Sequence, residues 1–163
     1  MVLFIGRTNV GKSTLINSLL GQKLAFPSKK AGKTKALNFF LVDERFYLVD
    51  APGYGSTGFA TMSTVAFAEM MEKTLPSPYL KCIALLLDFR VLPKEDDIAF
   101  YRYLASAGKN MVVVLTKVDK MNQKELSAAK KCAEELGFTR VLTSDNSPST
   151  SEKIRTAILA CLH

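Results

Sequence analysis

The stretch Gly6-Arg7-Thr8-Asn9-Val10-Gly11-Lys12-Ser13 decides the fold of this chain, because it matches the phosphate-binding pattern Gly-x-x-x-x-Gly-Lys-Ser. The apolar run over residues 2–5 predicts a buried strand, and residues 14–20 have helical spacing and stop at Gly21. In this setting backbone N–H groups turn inward around phosphates, and the helix N-terminus adds positive potential. Lys12 is expected to reach the outer phosphates, and the Ser13 hydroxyl to hold Mg²⁺. The sequence therefore predicts a site for a nucleoside triphosphate.

The composition is that of an ordinary globular protein, with 48% apolar and 23% charged residues in a chain of 163. This length suffices for one substantial core and no linker divides it, so we expect a single domain over residues 1–163. The 22 Lys and Arg residues exceed the 15 Asp and Glu residues, which gives a net charge of +7. That excess favours an acidic partner, with nucleic acid first, although basic surfaces also occur without one.

The cysteine and histidine content argues against disulfide, zinc and imidazole chemistry. Cys82, Cys132 and Cys161 lack Cys-x-x-Cys spacing, and His163 is both the only histidine and the last residue. A reducing compartment fits this pattern. The apolar start is too short for a signal peptide, and no apolar run approaches the ~18 residues of a membrane span. We therefore expect a cytoplasmic protein with no membrane partner.

Strand and helix patterns alternate along the chain. Strands are predicted over residues 2–5, 37–42, 45–49, 82–87, 111–115 and 140–142, and helices over 14–20, 60–75, 94–107, 122–136 and 152–162. The polar and basic residues 22–35 predict a long loop. This order indicates an α/β protein of the P-loop NTPase type: a mostly parallel central sheet with one antiparallel edge strand and helices on both faces. The ligand is expected at the carboxyl ends of the strands, where all the motifs fall.

Two further positions complete the predicted phosphate and metal site. Asp50-x-x-Gly53 closes the third strand, where the carboxylate can hold Mg²⁺ through water and the Gly53 N–H can contact a γ-phosphate. A simple turn is the alternative role of this segment. Thr34, the only threonine between the first helix and the second strand, is placed to offer an oxygen to Mg²⁺ and to sense the γ-phosphate. The predicted Mg²⁺ ligands are thus Ser13, Thr34 and Asp50.

Thr116-Lys117-Val118-Asp119 selects the base. A carboxylate at Asp119 accepts hydrogen bonds from the N1–H and 2-amino group of guanine, whereas adenine would leave it unpaired. Lys117 can lay its aliphatic stem over the base. A solvated charged loop is the alternative interpretation. Thr143-Ser144-Asp145 is placed to offer a backbone N–H to the guanine O6, although Ser and Asp there could simply cap the final turn.

These motifs together resemble the EngB family of ribosome-assembly GTPases over nearly the whole chain. The matching segments are the phosphate loop, residues 31–40, Asp50-Ala51-Pro52-Gly53-Tyr54-Gly55, Leu87-Asp88-Phe89-Arg90 with the later Asp97, and Thr116-Lys117-Val118-Asp119. The switch segment 31–40 and the Tyr54-Gly55 pair separate this family from Era- and TrmE-like relatives. Three departures stand out: Ala31 replaces a usual proline, no basic residue soon follows Asn146, and the chain begins at the first strand without the usual short extension.

The resemblance implies a switch protein that hydrolyses GTP slowly, binds Mg²⁺ and acts with rRNA in assembly of the large ribosomal subunit, most simply as a monomer. Tyr54 stands where many GTPases carry the water-orienting Gln, so water positioning must come from elsewhere or be absent in the free protein. Asn9 matches the residue that holds K⁺ in K⁺-activated relatives, unless it was selected only for turn geometry. Arg90 is either an rRNA contact or a partner of Asp88 or Glu95.

The full set of expected ligand contacts follows from the motifs and the resemblance. Lys12, Thr34 and Gly53 are expected to act on the transferred phosphate. The residues expected to bind nucleotide are Gly6, Arg7, Thr8, Asn9, Val10, Gly11, Lys12, Ser13, Thr14, Lys33, Thr34, Asp50, Gly53, Thr116, Lys117, Asp119, Thr143, Ser144 and Asp145.

Three alternatives remain at this level. A P-loop small-molecule kinase would share the phosphate loop but has no use for residues 116–119. A related Era- or TrmE-type GTPase would share the generic motifs. A GTP-regulated binding scaffold with negligible hydrolysis would share all of them and differ only in turnover.

Overall fold

A computed structural model of the chain describes residues 1–21, 37–55 and 64–163. Within these ranges the elements are β1 (Val2–Gly6), α1 (Lys12–Leu20), β2 (Asn38–Val42), β3 (Phe46–Asp50), α2 (Thr64–Thr74), β4 (Cys82–Leu87), α3 (Glu95–Ala105), β5 (Asn110–Leu115), α4 (Gln123–Glu135), β6 (Val141–Thr143) and α5 (Pro148–Cys161). A single 3₁₀ turn, Val118–Lys120, lies between β5 and α4.

The strands form one six-stranded sheet in the order β2-β3-β1-β4-β5-β6. All neighbouring pairs are parallel except β2 and β3, which form an antiparallel hairpin at one edge. This confirms the predicted sheet. The hairpin connection is three residues long, 43–45, and it is tight because Asp43 and Glu44 both adopt positive φ, 48° and 54°, which lets the Arg45 N–H donate to the Val42 carbonyl at 2.9 Å.

Helices cover both faces of the sheet, because alternate strand residues point to opposite sides. One apolar cluster joins Leu3 and Ile5 of β1 to residues of α2, α3 and α4, such as Met71 and Leu104. The other joins Val2 and Phe4 to residues of α1 and α5. Every residue of β4 is buried, as expected for a central parallel strand. Cys82 in this strand is a buried free thiol, as predicted for a core residue.

The last helix begins four residues earlier than predicted. Ser147 caps it by accepting a hydrogen bond from the Thr150 N–H at 3.3 Å, and Pro148 occupies the first turn. Proline and serine are poor in a helix interior but favourable at its start, so this prediction was wrong at the boundary only. The described part of α2 begins at Thr64 and ends one residue before the prediction, and predicted residues 60–63 lie outside the described ranges.

Candidate nucleotide-binding site

The phosphate loop connects the buried end of β1 to the start of α1. Gly11 adopts φ of 101°, a conformation that residues with a side chain rarely reach, and it is the N-cap of the nine-residue helix. The Leu15 N–H closes the first helical turn on the Gly11 carbonyl at 3.0 Å. The unpaired N–H groups of this first turn give the loop the positive potential that an anion requires. Thr14, in the same turn, is exposed.

The outer carbonyls of the loop are bound by the segment that follows β5. Thr116 Oγ1 donates to the Val10 carbonyl at 2.7 Å, and Lys117 Nζ donates to the Asn9 carbonyl at 2.7 Å. Because a trans peptide directs its C=O and N–H to opposite sides, turning the Val10 carbonyl outward turns the Gly11 N–H inward. The predicted base-reading segment therefore also shapes the predicted phosphate loop.

Lys12 and Asp50, predicted from separate motifs, form an ion pair in which the ammonium donates to Asp50 Oδ1. Their side chains are only 10% and 4% exposed. Burial raises the pKa of Asp50 above its ordinary value, and the charge and hydrogen bond of Lys12 oppose that rise. The predicted phosphate lysine and metal carboxylate thus meet at one point. Ser13, the second residue of α1, directly follows Lys12 in the chain and is half-buried.

The segment after β3 is paired with the phosphate loop by backbone hydrogen bonds. The Tyr54 N–H donates to the Gly6 carbonyl at 3.3 Å, and the Thr8 N–H donates to the Tyr54 carbonyl at 3.0 Å. The preceding residue, Gly53, approaches Thr8 so closely that a Cβ on Gly53 would lie 2.9 Å from the Thr8 Cα. A side chain at Gly53 would therefore push this segment away from the loop. Thr34 and Lys33, the remaining predicted phosphate and metal contacts, lie outside the described residues.

The Tyr54 ring lies in a cleft between α2 and α3. Its centroid is 4.6 Å from that of Phe100 and 6.0 Å from that of Phe67. The hydroxyl is buried and has no hydrogen-bond partner among the described residues. Burial raises the pKa of Tyr54 far above its ordinary value, so the phenol stays protonated at neutral pH. The structure therefore gives this residue a packing role in the cleft.

Arg7 links the phosphate loop to α3 in a way that the sequence did not predict. Its Nε donates to Asp97 Oδ1 at 2.6 Å, and its guanidinium lies 5.4 Å from the centre of the Tyr54 ring. Asp97 is buried and also accepts the Lys94 N–H at 2.9 Å, which caps α3. The acidic third position of a helix start signals the cap in sequence. No sequence signal joins that acid to an arginine 90 positions away.

The predicted base-reading residues lie at the carboxyl ends of β5 and β6. Lys117 adopts a left-handed φ of 58°, and Asp119, in the following 3₁₀ turn, is exposed and accessible to a ligand. The Val118 N–H donates to the Ser144 carbonyl at 3.3 Å, which joins the two segments. Thr143, the last residue of β6, is half-buried at the same end.

Ser144 and Asp145 have structural partners of their own. The Ser144 N–H donates to the Leu115 carbonyl at 2.8 Å, which continues the pairing of β5 and β6. The Asp145 carboxylate accepts from the Ser147 N–H at 2.8 Å and from Thr150 Oγ1 at 2.7 Å. These hydrogen bonds lower the pKa of Asp145 to about 2. The Asp145 side chain therefore closes the turn before α5, whose cap is Ser147, and a backbone contact with the guanine O6 stays a prediction.

The phosphate loop joins the first strand to the first helix of a mostly parallel sheet. Residues 50–53 and 116–119 also lie at the carboxyl ends of the strands. Together these features define a P-loop nucleotide-binding protein. Comparison with known proteins narrows the class. The family model described as 50S ribosome-binding GTPase matches residues 1–117. A crystal structure of a probable GTP-binding protein EngB superposes with a TM-score of 0.74 at 18% identity, covering 99% of this chain and 97% of that one.

Curated relatives give the particular family. The chain is 44% identical over 124 residues to a probable GTP-binding protein EngB of Lactobacillus helveticus, covering 75% of this chain and 63% of the relative. It is 42% identical over 150 residues to one of Desulfovibrio desulfuricans, covering 90% of this chain and 75% of the relative. The chain belongs to the EngB family of GTP-binding proteins. The aligned part spans less than two thirds of the Lactobacillus relative's length.

The ion pair of Lys12 and Asp50 leads to a first prediction. Lys12→Ala should remove most Mg²⁺-GTP affinity in titration calorimetry, because the ammonium is placed at the phosphate loop. It should also lower the free energy of unfolding in urea by about 3 kcal/mol, because Asp50 is left buried without its cation. Adding Asp50→Asn should recover most of that stability and none of the affinity. Near-normal GTP binding by folded Lys12→Ala protein would contradict the site.

A second prediction concerns the base. Asp119→Asn should shift preference from guanine to xanthine nucleotides, because an amide can donate to the carbonyl that replaces the guanine 2-amino group. The measurement is competition by GTP, XTP and ATP against a fluorescent guanine nucleotide. Glu134→Gln, an equal change at an exposed position of α4, is the control and should bind GTP normally. Full retention of GTP preference in Asp119→Asn would show that another residue reads the base.

Proposed function

We propose that the chain is a GTP-binding switch that hydrolyses GTP slowly and acts in assembly of the large ribosomal subunit. Membership of the EngB family supports guanine nucleotide binding, and the matching family model is described as a 50S ribosome-binding GTPase. In this proposal residues 1–163 act as one G domain, as a monomer in the cytoplasm, with no membrane partner. Among the described residues, no helix has the length and apolar character needed to cross a membrane.

The phosphate end of the site supports the binding of Mg²⁺-GTP. Lys12 and Asp50 bring a cation and a carboxylate together, and Ser13 follows Lys12 as the second residue of α1. Mg²⁺ would be held by Ser13, Asp50 and, from the sequence, Thr34. The metal would neutralise charge on the phosphates, while Lys12 and the Gly53 N–H would bind the transferred group.

The packing of Tyr54 supports a low intrinsic rate of hydrolysis. The residue at the usual water-orienting position is enclosed between Phe67 and Phe100, with its hydroxyl buried. An ordered attacking water would therefore need another group, supplied by a bound cation or by a partner. The same observation favours the scaffold alternative, in which GTP is bound and hardly hydrolysed. Turnover of purified protein, measured by phosphate release, separates the two functions.

Backbone pairing supports a switch that responds to the γ-phosphate. The two hydrogen bonds between Tyr54 and the phosphate loop place Gly53 against Thr8, so any movement of this segment must break regular pairing. Loss of a γ-phosphate contact at Gly53 would remove one interaction that favours the paired state. The excess of basic residues supports rRNA as the partner that senses the change.

A third prediction tests K⁺. Asn9 has φ of 65°, as the turn-geometry alternative requires, so a variant must keep that conformation accessible. Asn9→Gly removes the amide and tolerates this φ. We expect K⁺ to stimulate hydrolysis over Na⁺ in the wild-type protein and Asn9→Gly to abolish the difference. Equal hydrolysis rates of the wild-type protein in K⁺ and in Na⁺ would show that K⁺ does not stimulate the reaction.

A fourth prediction tests the partner. The protein should cosediment with large ribosomal subunits more strongly in a non-hydrolysable GTP analogue than in GDP, with affinity that falls steeply as salt rises. Replacing three lysines of the predicted basic loop by Ala should flatten this salt dependence and leave guanine binding nearly intact. They are Lys29, Lys30 and Lys35, outside the described residues. Equal subunit binding in the presence of either nucleotide would contradict a nucleotide-dependent switch. An unchanged salt dependence in the lysine variant would show that this loop does not contact the subunit.

A further inference from the structure

A line of polar contacts runs from the phosphate loop to the loop that follows β4. Lys117 Nζ donates to the Asn9 carbonyl at 2.7 Å and lies 3.7 Å from Asp88 Oδ2. Arg90 makes the last of these contacts: its Nη2 donates to Asp88 Oδ2 at 2.7 Å and its Nε donates to Asp88 Oδ1 at 3.0 Å. Asp88 therefore accepts hydrogen bonds from an arginine and forms a longer ion pair with a lysine that comes from a different motif.

Arg90 fixes the Asp88 carboxylate with both its side chain and its backbone. The Arg90 N–H donates to Asp88 Oδ1 at 3.1 Å, in addition to the guanidinium bonds. A fork of this kind sets the plane of the carboxylate as well as its distance. Partial burial alone would raise the pKa of Asp88, but the hydrogen bonds from Arg90 hold it below its ordinary value. A charged acceptor thus faces Lys117 at neutral pH.

Lys117 is held from two sides as a result. An ammonium has three donors, and the Asn9 carbonyl and the Asp88 carboxylate each attract it. Its stem passes over the phosphate loop, with Cε 3.8 Å from where a Cβ on Gly11 would lie. A fixed head keeps this apolar stem in place over the phosphate loop, where a base could lie on it.

We propose that Arg90 is a positioning residue of the base-binding site, which acts through Asp88 to hold Lys117 over the bound guanine and so slows nucleotide release. The inference rests on the proposed guanine site and adds a residue from a different loop to it. It gives the Arg90 side chain a role in nucleotide retention, and rRNA contact by this side chain becomes the competing outcome of the test.

The experiment measures release of a fluorescent GDP derivative from the purified chain after mixing with excess GDP. Arg90→Ala should speed release about fivefold, the size typical of one exposed ion pair. Arg90→Lys keeps the charge but cannot form the fork, so its release rate should lie between those of the wild-type protein and Arg90→Ala. Arg102→Ala removes an exposed arginine from α3 and should release GDP as the wild-type protein does.

Two further measurements show whether Arg90 acts through Lys117. In a Lys117→Met background, which keeps the apolar stem, Arg90→Ala should cause no additional acceleration. Inorganic tripolyphosphate has no base, so its competition for the phosphate loop should be the same in Arg90→Ala and wild-type protein. An acceleration that persists in the Lys117→Met background, or an equal loss of tripolyphosphate binding, would overturn the proposal.

The outcomes also separate this inference from the function on which it rests. Failure of the wild-type protein to bind guanine nucleotide would overturn both. Tight binding by the wild-type protein, with unchanged release from Arg90→Ala, would overturn the role of Arg90 alone. If Arg90→Ala released GDP at the wild-type rate but bound large ribosomal subunits more weakly, the Arg90 side chain would be a contact with RNA and not a positioning residue.

Discussion

The structure depends on one constraint: the Asn9 and Val10 carbonyls of the phosphate loop find their donors outside the loop, and the outward Val10 carbonyl turns the Gly11 N–H inward. A buried carbonyl without a donor costs free energy comparable to a lost hydrogen bond. Thr116 and Lys117 supply the donors for Val10 and Asn9. They can do so because β4 lies between β1 and β5, which brings the ends of the two motif-bearing strands to the same edge.

A second consequence of this arrangement is the concentration of opposite charges at the sheet edge. Lys12 and Asp50 are almost fully buried together, and each compensates for the desolvation of the other. Binding of a phosphate and a divalent cation would exchange this pair for two new ones, with Lys12 on phosphate and Asp50 at the metal. Among the described residues, a phosphate-binding cation and a carboxylate therefore lie together at the phosphate loop.

The segment after β3 is held against the phosphate loop by backbone pairing. Tyr54 forms a parallel bridge with Arg7, one residue out of the register that pairs Phe4 with Asp50, and its ring packs in the cleft between α2 and α3. Arg7 connects these features, since it stands in the phosphate loop, contacts the ring and pairs with Asp97 of α3.

The sequence by itself determined the element order, the sheet type and the phosphate loop, because each is encoded by residues close together in the chain. Periodicity, glycine positions and short motifs act over a few residues; they indicated Lys12 and Asp50, and they predicted Asp119 as the base-reading carboxylate. The start of α5 was harder, since Ser144 and Asp145 offered both a cap and a ligand contact, whereas in the structure Ser147 is the cap and the Asp145 carboxylate accepts from Ser147 and Thr150.

The tertiary structure alone decided which of these residues meet. The pairs Lys12–Asp50, Arg7–Asp97 and Lys117–Asn9 are separated by 38, 90 and 108 positions. Their contacts depend on the order of strands in the sheet, which sets neighbours that no local pattern contains. Arg90 shows the same limit at short range, because its sequence allowed Asp88, Glu95 or RNA as partners. The turn after β4 directs the guanidinium to Asp88, since there both the backbone and the side chain can bind one carboxylate.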